Sequence, residues 1–284
     1  MLRTRLVQEV SDKRVRLPSP SAQHRLRCHY AGMVKRALSF GSVASAYERF
    51  RLGYPDELVN EVLDYAAARV DTALEIGAGT GKATRAFAAR GITVTATDPD
   101  AEMLTELRKH LPAAVVTTQS RFEELPLGST YDLVFAAASL HWTEPTHRWS
   151  RMAALLNPGG VFASFGGPIS LADEAVEEAV RAARSPYLAD DGVPSPDGTP
   201  PDSPFRWPGP ELARSDLFVD VRQSTIERRT TMSASDYVGH LSTISAYLEL
   251  PGPVREQAFR RILRVLPERV AVLADLTLHL ARRR

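Results

Sequence analysis

The chain has 284 residues, of which 44% are hydrophobic and 24% are charged, and its formal net charge at pH 7 is +1. This length suits a single α/β domain with an added element, and the composition is that of an ordinary globular protein. No apolar run reaches the roughly 20 residues of a membrane span, so we expect no membrane segment. The single cysteine, Cys28, excludes an internal disulfide framework and favours a reducing compartment, the cytoplasm.

Charge is distributed unevenly along the chain. Residues 1–36 carry nine Lys/Arg and two acidic residues, a net charge of +7, whereas the remainder sums to −6. This basic tail lacks the apolar core of a secretory signal, and we expect it to be disordered. Three interpretations stay open: a translated upstream extension with Met33 as the natural start, a functional basic arm, or a targeting segment. Because the body is acidic, we do not expect nucleic acid as a partner.

From residue 37 onward, short apolar runs alternate with helical periodicity, which is typical of repeated strand–helix units. The predicted helices are 56–69, 101–110 and 145–156, and the predicted strands are 72–76, 92–98, 113–118, 131–139 and 160–165. The sequence Asn-Pro-Gly-Gly at 157–160 predicts a turn before the fifth strand.

The second half of the chain has a different character. Residues 186–210 contain eight prolines, which excludes a regular helix or a central strand there. The elements predicted around this segment are a helix at 171–184, a strand at 218–232, helices at 234–248 and 253–266, and a final strand at 272–280. We expect the helical and proline-rich part to form a roof over a substrate site.

A glycine-rich loop stands at the predicted turn from the first strand to the next helix. Residues 75–82 read Glu-Ile-Gly-Ala-Gly-Thr-Gly-Lys, and the glycines permit a tight turn and a close approach of ligand to backbone. A dinucleotide fingerprint needs its third glycine where Lys82 stands, and a triphosphate-binding loop needs glycine at Ile76 and Ser or Thr at Ala83. Glu75 would repel a pyrophosphate and attract a cationic group. The pattern therefore favours a ligand without a pyrophosphate.

Asp98 ends the next predicted strand, seventeen residues after Gly81. A carboxylate at such a strand end can accept two hydrogen bonds from vicinal ribose hydroxyls. The sequence Asp-Pro-Asp-Ala-Glu-Met that starts here also suits the beginning of a helix over 101–110, so a helix N-terminal role for Asp98 is the alternative. The two roles are compatible at the carboxyl end of a strand.

Five segments follow one another over roughly residues 40–166: VDTALEIGAGTGKAT, VTATDPDAEML, FEELPL, YDLVFAAASLHW and LNPGG. Together they resemble the successive motifs of class I S-adenosylmethionine-dependent methyltransferases. The resemblance implies a doubly wound, Rossmann-like α/β fold with a seven-stranded sheet of order 3-2-1-4-5-7-6 and an antiparallel last strand. We expect one methyltransferase domain at 37–284, with a core at about 56–166 and cap elements at about 171–215 and 234–266.

The cofactor implied by this resemblance is S-adenosyl-L-methionine. The residues expected to bind it are Glu75, Gly77, Gly79, Gly81, Asp98, Met103, Arg121, Phe122 and Glu123. The first four would line the methionine part, Asp98 would hold the ribose, Met103 would pack against the adenine, and the last three would lie beside the adenine edge. The commoner family pattern has an Asp just before these last three, where this chain has Gln119-Ser120. A helix-start carboxylate is therefore the alternative role for Glu123.

Methyl transfer requires the nucleophile to be held close, aligned and dry, and such positioning supplies on the order of 7–11 kcal/mol. A base is needed only where the nucleophile must lose a proton, so a carboxylate acceptor needs none. His141 follows the fourth strand, at the edge where open α/β sheets bind ligands, and is the candidate catalytic residue. It would act as a base or a hydrogen-bond donor; the alternative is a loop residue bonded to a carbonyl. Trp142 would form an aromatic wall of the substrate site or belong to the core.

Further candidates for the substrate site lie at both ends of the domain. Residues 46–55, AYERFRLGYP, hold Tyr47, Arg51 and Tyr54 just before the first core helix, and in the family this segment folds over the cofactor. Arg51 would bind a carboxylate, or it would be a surface arginine beside packed tyrosines. Tyr247 is a further candidate for the pocket wall. The scattered histidines show no metal-ligand spacing beside a carboxylate, so we expect no metal.

The leading hypothesis is O-methylation of a small carboxylate or hydroxyl compound, with N- and C-methylation left open. The segment SLHW resembles a subgroup that includes trans-aconitate methyltransferase-like enzymes, which motivates the carboxylate. The alternatives are a non-catalytic cofactor or partner binder and a nicotinamide-dependent oxidoreductase, the latter disfavoured by Lys82 and Glu75. Nucleic-acid methylation is disfavoured because the body is acidic and no Asn-Pro-Pro-aromatic motif follows the fourth strand. We expect a monomer or homodimer.

Overall fold

The computed structural model describes residues 39–111, 115–190, 192, 195–200 and 202–284. The expectations for the basic tail at 1–36 fall outside these residues. Ten strands are described: β1 Thr72–Ile76, β2 Thr93–Asp98, β3 Val116–Gln119, β4 Tyr131–Ala137, β5 Leu156–Gly166, β6 Ser170–Leu171, β7 Phe218–Ile226, β8 Arg229–Ser233, β9 Arg269–Leu273 and β10 Leu276–Arg283.

The described helices alternate with these strands in the first half and cluster in the second. They are α1 Ala44–Phe50, α2 Asp56–Ala66, α3 Lys82–Ala88, α4 Ala101–Arg108, α5 Arg148–Ala154, α6 Glu174–Arg184, α7 Gly209–Arg214, α8 Ala234–Leu241, α9 Ser245–Leu248 and α10 Gly252–Val265. Short 3-10 helices lie at Gly41–Val43, Phe122–Glu124 and Leu140–Trp142. None of the helices in the described ranges combines the length and the apolar character needed to cross a membrane.

The main sheet has seven strands in the order β3-β2-β1-β4-β5-β10-β7. Strands β1 to β5 are parallel to one another, whereas β10 runs antiparallel to both β5 and β7. Since β7 is the sixth strand of this sheet along the chain and β10 is the seventh, the predicted order 3-2-1-4-5-7-6 is confirmed. The carboxyl ends of β1, β2 and β4 therefore meet at one edge, where open α/β sheets bind ligands.

Both faces of the main sheet are covered. On one face, Phe87 of α3 packs on Phe135 of β4 with ring centroids 4.4 Å apart, and α2 joins the same buried cluster. On the other face, Val134 and Phe162 pack with α5 and with Leu212 of α7. Strands buried on both sides read as continuous apolar runs, which is why their positions could be predicted from the sequence.

A second sheet of three antiparallel strands, in the order β6-β9-β8, was not predicted. It packs with α6, α8, α9 and α10 around a separate buried cluster that includes Leu171, Tyr237 and Val272. These elements form the roof. Helix α7, which lies in the segment expected to belong to the cap, packs instead against β7 of the main sheet.

Two predicted strands were wrong in extent because each divides between the two sheets. The strand expected at 218–232 is β7 and β8, and the strand expected at 272–280 spans the end of β9 and most of β10. The corner between β7 and β8 contacts the corner between β9 and β10, where the carboxylate of Asp275 accepts a hydrogen bond from the backbone N–H of Arg228 at 2.8 Å. Buried residues alternate with more exposed ones from β9 into the first residues of β10, so the two-residue hydrophobic period of the sequence does not change where β9 ends and β10 begins.

Other boundaries also differ from the predictions. The turn predicted at 157–160 lies within β5, where Gly159 has a φ of 75° and the pairing with β4 is irregular, so these residues form a bulge. Helix α2 ends at Ala66 because Ala67 takes the left-handed conformation. The helix predicted at 234–248 is interrupted at 242–244, between α8 and α9.

Candidate functional site

The glycine loop connects β1 to α3 and has a left-handed backbone at Gly77, Gly79 and Gly81. A Cβ at position 77 would lie 2.6 Å from the Cβ of Ser139, and a Cβ at position 81 would lie 2.8 Å from Cγ of Leu107. These two glycines are therefore required by packing. Gly79 has no heavy atom within 4 Å of a hypothetical Cβ, so its backbone is open to a ligand.

Glu75 lies near the end of β1 and is 1% exposed. Its carboxyl group accepts a hydrogen bond from the hydroxyl of Thr84 on α3. Burial and the neighbouring carboxyl of Asp98 raise the pKa of Glu75 to about 8, although the Thr84 bond acts in the opposite direction. The site therefore favours a cationic group beside Glu75, because such a group would stabilise the ionised form.

Asp98 ends β2, and its carboxyl group faces the glycine loop. One oxygen accepts the backbone N–H of Gly79 at 2.8 Å, and the other accepts that of Asp100 at 2.9 Å. Burial raises the pKa of Asp98 to about 6 against the effect of these bonds. Asp100 is the residue that caps α4, since it accepts the N–H groups of Glu102 and Met103. Asp98 is thus placed at the loop rather than used as the helix cap.

The residues expected around an adenine ring lie beyond β2 and β3. Met103 on α4 and Phe122 are both buried. Arg121 precedes the 3-10 helix that holds Phe122, and Glu123 accepts the backbone N–H of Glu144 at 2.7 Å. Glu123 thereby ties this turn to the loop that follows β4. A small cavity beside it is lined in part by Phe122, Glu123 and Glu144.

Helix α1 lies over the glycine loop and is held there by charged contacts. Glu48 of α1 accepts a 2.7 Å bond from Arg85, and its backbone carbonyl accepts a 2.6 Å bond from Lys82, both on α3. Just before the helix, the backbone N–H of Gly41 donates to Asp100 at 3.0 Å. These bonds join the N-terminal segment to the ends of β1 and β2, so it covers that edge of the sheet.

A cavity lies between this helix, the glycine loop and the roof. The predicted site residues that line it are Tyr47, Arg51, Tyr54, Glu75, Gly77 and Gly79. Arg51 donates 2.8 Å and 2.9 Å bonds to the hydroxyl and the carbonyl of Thr243. Tyr54 packs edge-on against Phe165, and burial raises the pKa of its hydroxyl above the ordinary value.

Three predicted substrate-site residues lie outside the described lining of this cavity. Trp142 packs edge-on against Phe40 with ring centroids 5.9 Å apart, and His141 lies 4.5 Å from Trp142 by the same measure. These rings support the start of the N-terminal segment. Tyr247 is fully buried in the roof, where it packs against Phe259.

Comparison with known proteins identifies the domain. Residues 74–164, from β1 to β5, match a family model described as a methyltransferase domain. Over these residues the chain carries a methyltransferase domain, as the resemblance of the sequence motifs predicted. S-adenosylmethionine is the cofactor of class I methyltransferases.

Among the relatives of this chain, an uncharacterized methyltransferase of Mycobacterium tuberculosis is 44% identical over 125 residues, which are 44% of this chain and 50% of the relative. A malonyl-[acyl-carrier protein] O-methyltransferase of Enterobacter lignolyticus is 31% identical over 45% of this chain and 51% of its own length. The chain thus spans about half the length of these curated relatives. A putative type II methyltransferase from Anaeromyxobacter dehalogenans shares the fold, with a TM-score of 0.57, 23% identity and coverage of 82% and 98% of the two chains.

The residues at the glycine loop fit S-adenosylmethionine. The open backbone of Gly79 lies between two buried carboxyl groups, on Glu75 and Asp98. The hydroxyl of Thr80, which also lines the cavity, is buried without a hydrogen-bond partner among the described residues. Buried polar atoms without partners in a native fold point to a ligand or water at that place.

The residues that line the cavity and were not predicted include Arg228 at the corner between β7 and β8 and His240 on α8. Arg228 donates a 2.9 Å bond to the carbonyl of Gly53, and burial lowers its pKa. His240 is 2% exposed, and burial together with the cationic Arg51 lowers its pKa to about 3. Both residues come from the roof, whose placement over the glycine loop depends on long-range packing.

Proposed function

We propose that the chain is an S-adenosylmethionine-dependent methyltransferase that O-methylates a carboxylate or hydroxyl group of a small molecule. The observation that carries the proposal is one cavity that joins the glycine loop to Tyr54 and Arg51 beneath α1. A methyl donor held on the loop side would therefore face an acceptor held on the roof side. When bound, S-adenosylmethionine supplies an electrophilic methyl group on a good leaving group.

The chain's own residues would bind and orient this donor. The ionised carboxylate of Glu75 would lie beside its cationic methionine end, while the backbone of Gly79 allows close approach. Asp98 would accept hydrogen bonds from the ribose, as expected from its place at the end of β2. Met103 and Phe122 would contact the adenine, with Arg121 and Glu123 at its edge.

Exclusion of water is the second contribution of the fold. Helix α1 covers the glycine-loop side of the cavity, where Glu48 bonds to Lys82 and Arg85. Arg51 joins the end of the same segment to Thr243 in the roof. A closed, dry cavity favours in-line transfer because it holds the reacting atoms in place without competing solvent.

For a hydroxyl acceptor, a proton must leave the nucleophile. We propose that His240, rather than His141, accepts a hydrogen bond from this hydroxyl and orients it, because His240 lines the cavity and its Nδ1 is buried without a partner among the described residues. Its low pKa keeps the ring neutral at pH 7, so the imidazole orients the nucleophile as a hydrogen-bond acceptor and the proton leaves to solvent as the methyl group is transferred. A carboxylate acceptor would need no base.

The proposal is tested by transfer of a labelled methyl group from S-adenosylmethionine. The purified protein is incubated with the labelled donor and with benzoate, hexanoate, phenol and 4-hydroxybenzoate, and the labelled products are identified by mass. A labelled ester or ether that requires the intact protein supports O-methylation. Labelled nitrogen or carbon products from a matched amine panel, or no transfer to any acceptor, would overturn it.

A further inference from the structure

The roof side of the cavity carries positive charge that the proposed cofactor does not use. Resting on the proposed function, we propose that Arg228 binds a carboxylate of the acceptor, so that the substrate class is a small organic anion. The site is distinct from the glycine loop, because Arg228 reaches the cavity from the β7–β8 corner.

The contacts of Arg228 leave its guanidinium ready for a ligand. Its Nη1 donates to the carbonyl of Gly53, a neutral acceptor, at 2.9 Å. The guanidinium has no ion pair with any acid of the described residues, although Asp275 bonds its backbone N–H. A partly buried cation without a counter-charge is costly unless a ligand supplies one. A carboxylate matches this need, since the guanidinium fork binds it through two parallel bonds.

Apart from Lys82, which pairs with Glu48, the charged residues that line the cavity are divided between its two sides. Glu75 lies on the glycine-loop side, where it suits a cationic ligand end. On the other side lie Arg51 and Arg228, and among the described residues the guanidinium of Arg51 donates hydrogen bonds to the neutral oxygens of Thr243. An anionic acceptor would therefore be attracted to the side of the two arginines rather than to the side of Glu75. This division orients the acceptor relative to the methyl donor.

A second observation at the same wall also points to a ligand. His240 is almost completely buried, yet its Nδ1 has no hydrogen-bond partner among the described residues. Its backbone carbonyl, by contrast, accepts a 2.7 Å bond from the hydroxyl of Thr243, which fixes the residue in place. A polar group of a methyl-accepting substrate held by Arg228 would supply the hydrogen bond that the buried imidazole of His240 lacks.

The test uses the full chain saturated with S-adenosylhomocysteine, titrated by calorimetry with benzoate, hexanoate and 4-hydroxybenzoate and with the three corresponding amides. The variants are Arg228→Gln, Arg228→Lys and the matched control Arg229→Gln. Arg229 is the exposed neighbour at the start of β8 and does not line the cavity. Arg229→Gln therefore removes the same charge from almost the same place.

We expect at least one acid to bind while its amide does not. Arg228→Gln should weaken that binding at least about tenfold, Arg228→Lys should restore part of it, and Arg229→Gln should leave it within about twofold. The affinity for S-adenosylhomocysteine should not change. Equal binding of acids and amides, equal losses in the two glutamine variants, or no binding of any acid would overturn the inference. Failure of S-adenosylhomocysteine itself to bind would instead refute the proposed function.

Discussion

Replacement of Glu75 by glutamine should stabilise the fold and abolish cofactor binding at the same time. The side chain is buried, and its pKa rises from an ordinary 4.5 to about 8. In this pH range the folded protein retains a proton that the unfolded chain has released, so stability falls as pH rises from about 4.5 to about 8. At about 1.4 kcal/mol per pH unit, this residue lowers the free energy of unfolding by roughly 2–3 kcal/mol between pH 5 and pH 7.

The assay is urea unfolding of the wild-type protein and Glu75→Gln at pH 5 and pH 7. Glutamine still accepts a hydrogen bond from the Thr84 hydroxyl but does not ionise, so the free energy of unfolding of the variant should change less between the two pH values, by roughly 2–3 kcal/mol. The same change at the exposed Glu124 is the control and should leave the pH dependence as it is. Parallel losses in the wild-type protein and Glu75→Gln would refute the reasoning. Retained cofactor affinity in the variant would refute the role of the charge.

Three further changes test separate parts of the site. Gly79→Ala should cost about 1–2 kcal/mol of stability, because its Cβ meets no atom but the backbone is left-handed, and should weaken S-adenosylhomocysteine binding in calorimetry; unchanged affinity would contradict the close approach. Glu48→Gln should speed hydrogen exchange in α1 without affecting β4, because Lys82 and Arg85 lose their charged partner; equal protection would show that other contacts hold the helix. With a hydroxyl acceptor, His240→Gln should lower labelled methyl uptake up to about tenfold, whereas His141→Gln should not; the opposite order would restore the histidine proposed from the sequence.

The sequence was most informative for features of the fold and the site that depend on residues adjacent in the chain. The ends of β1 and β2 could be predicted because their buried runs stop at the glycine loop and at Asp98. Parallel strands then bring these two ends to the same edge of the sheet. The roles of Asp98 and Asp100 were separable only in the structure, since both are carboxylates beside the same helix start.

Residues that reach the site from the roof could not be predicted in this way. Arg228 and His240 lie far along the chain from the glycine loop, and no motif marks either of them. The division of 272–280 between two sheets also left no sequence signal, since burial alternates from β9 into the first residues of β10. The division of 218–232 between β7 and β8 was likewise not predicted. The corner at Asp275 and Arg228 depends on a tertiary hydrogen bond. These features depend on how the roof packs rather than on local pattern.

The central claim is that the glycine loop with Glu75 and Asp98 binds S-adenosylmethionine. Calorimetric titration of the full chain with S-adenosylmethionine, S-adenosylhomocysteine and NADH, repeated on Asp98→Ala, tests it most directly. The account predicts that both adenosyl ligands bind the wild-type protein, that the folded variant loses this binding, and that NADH does not bind. Binding of NADH alone, or no adenosyl binding by folded wild-type protein, would contradict it.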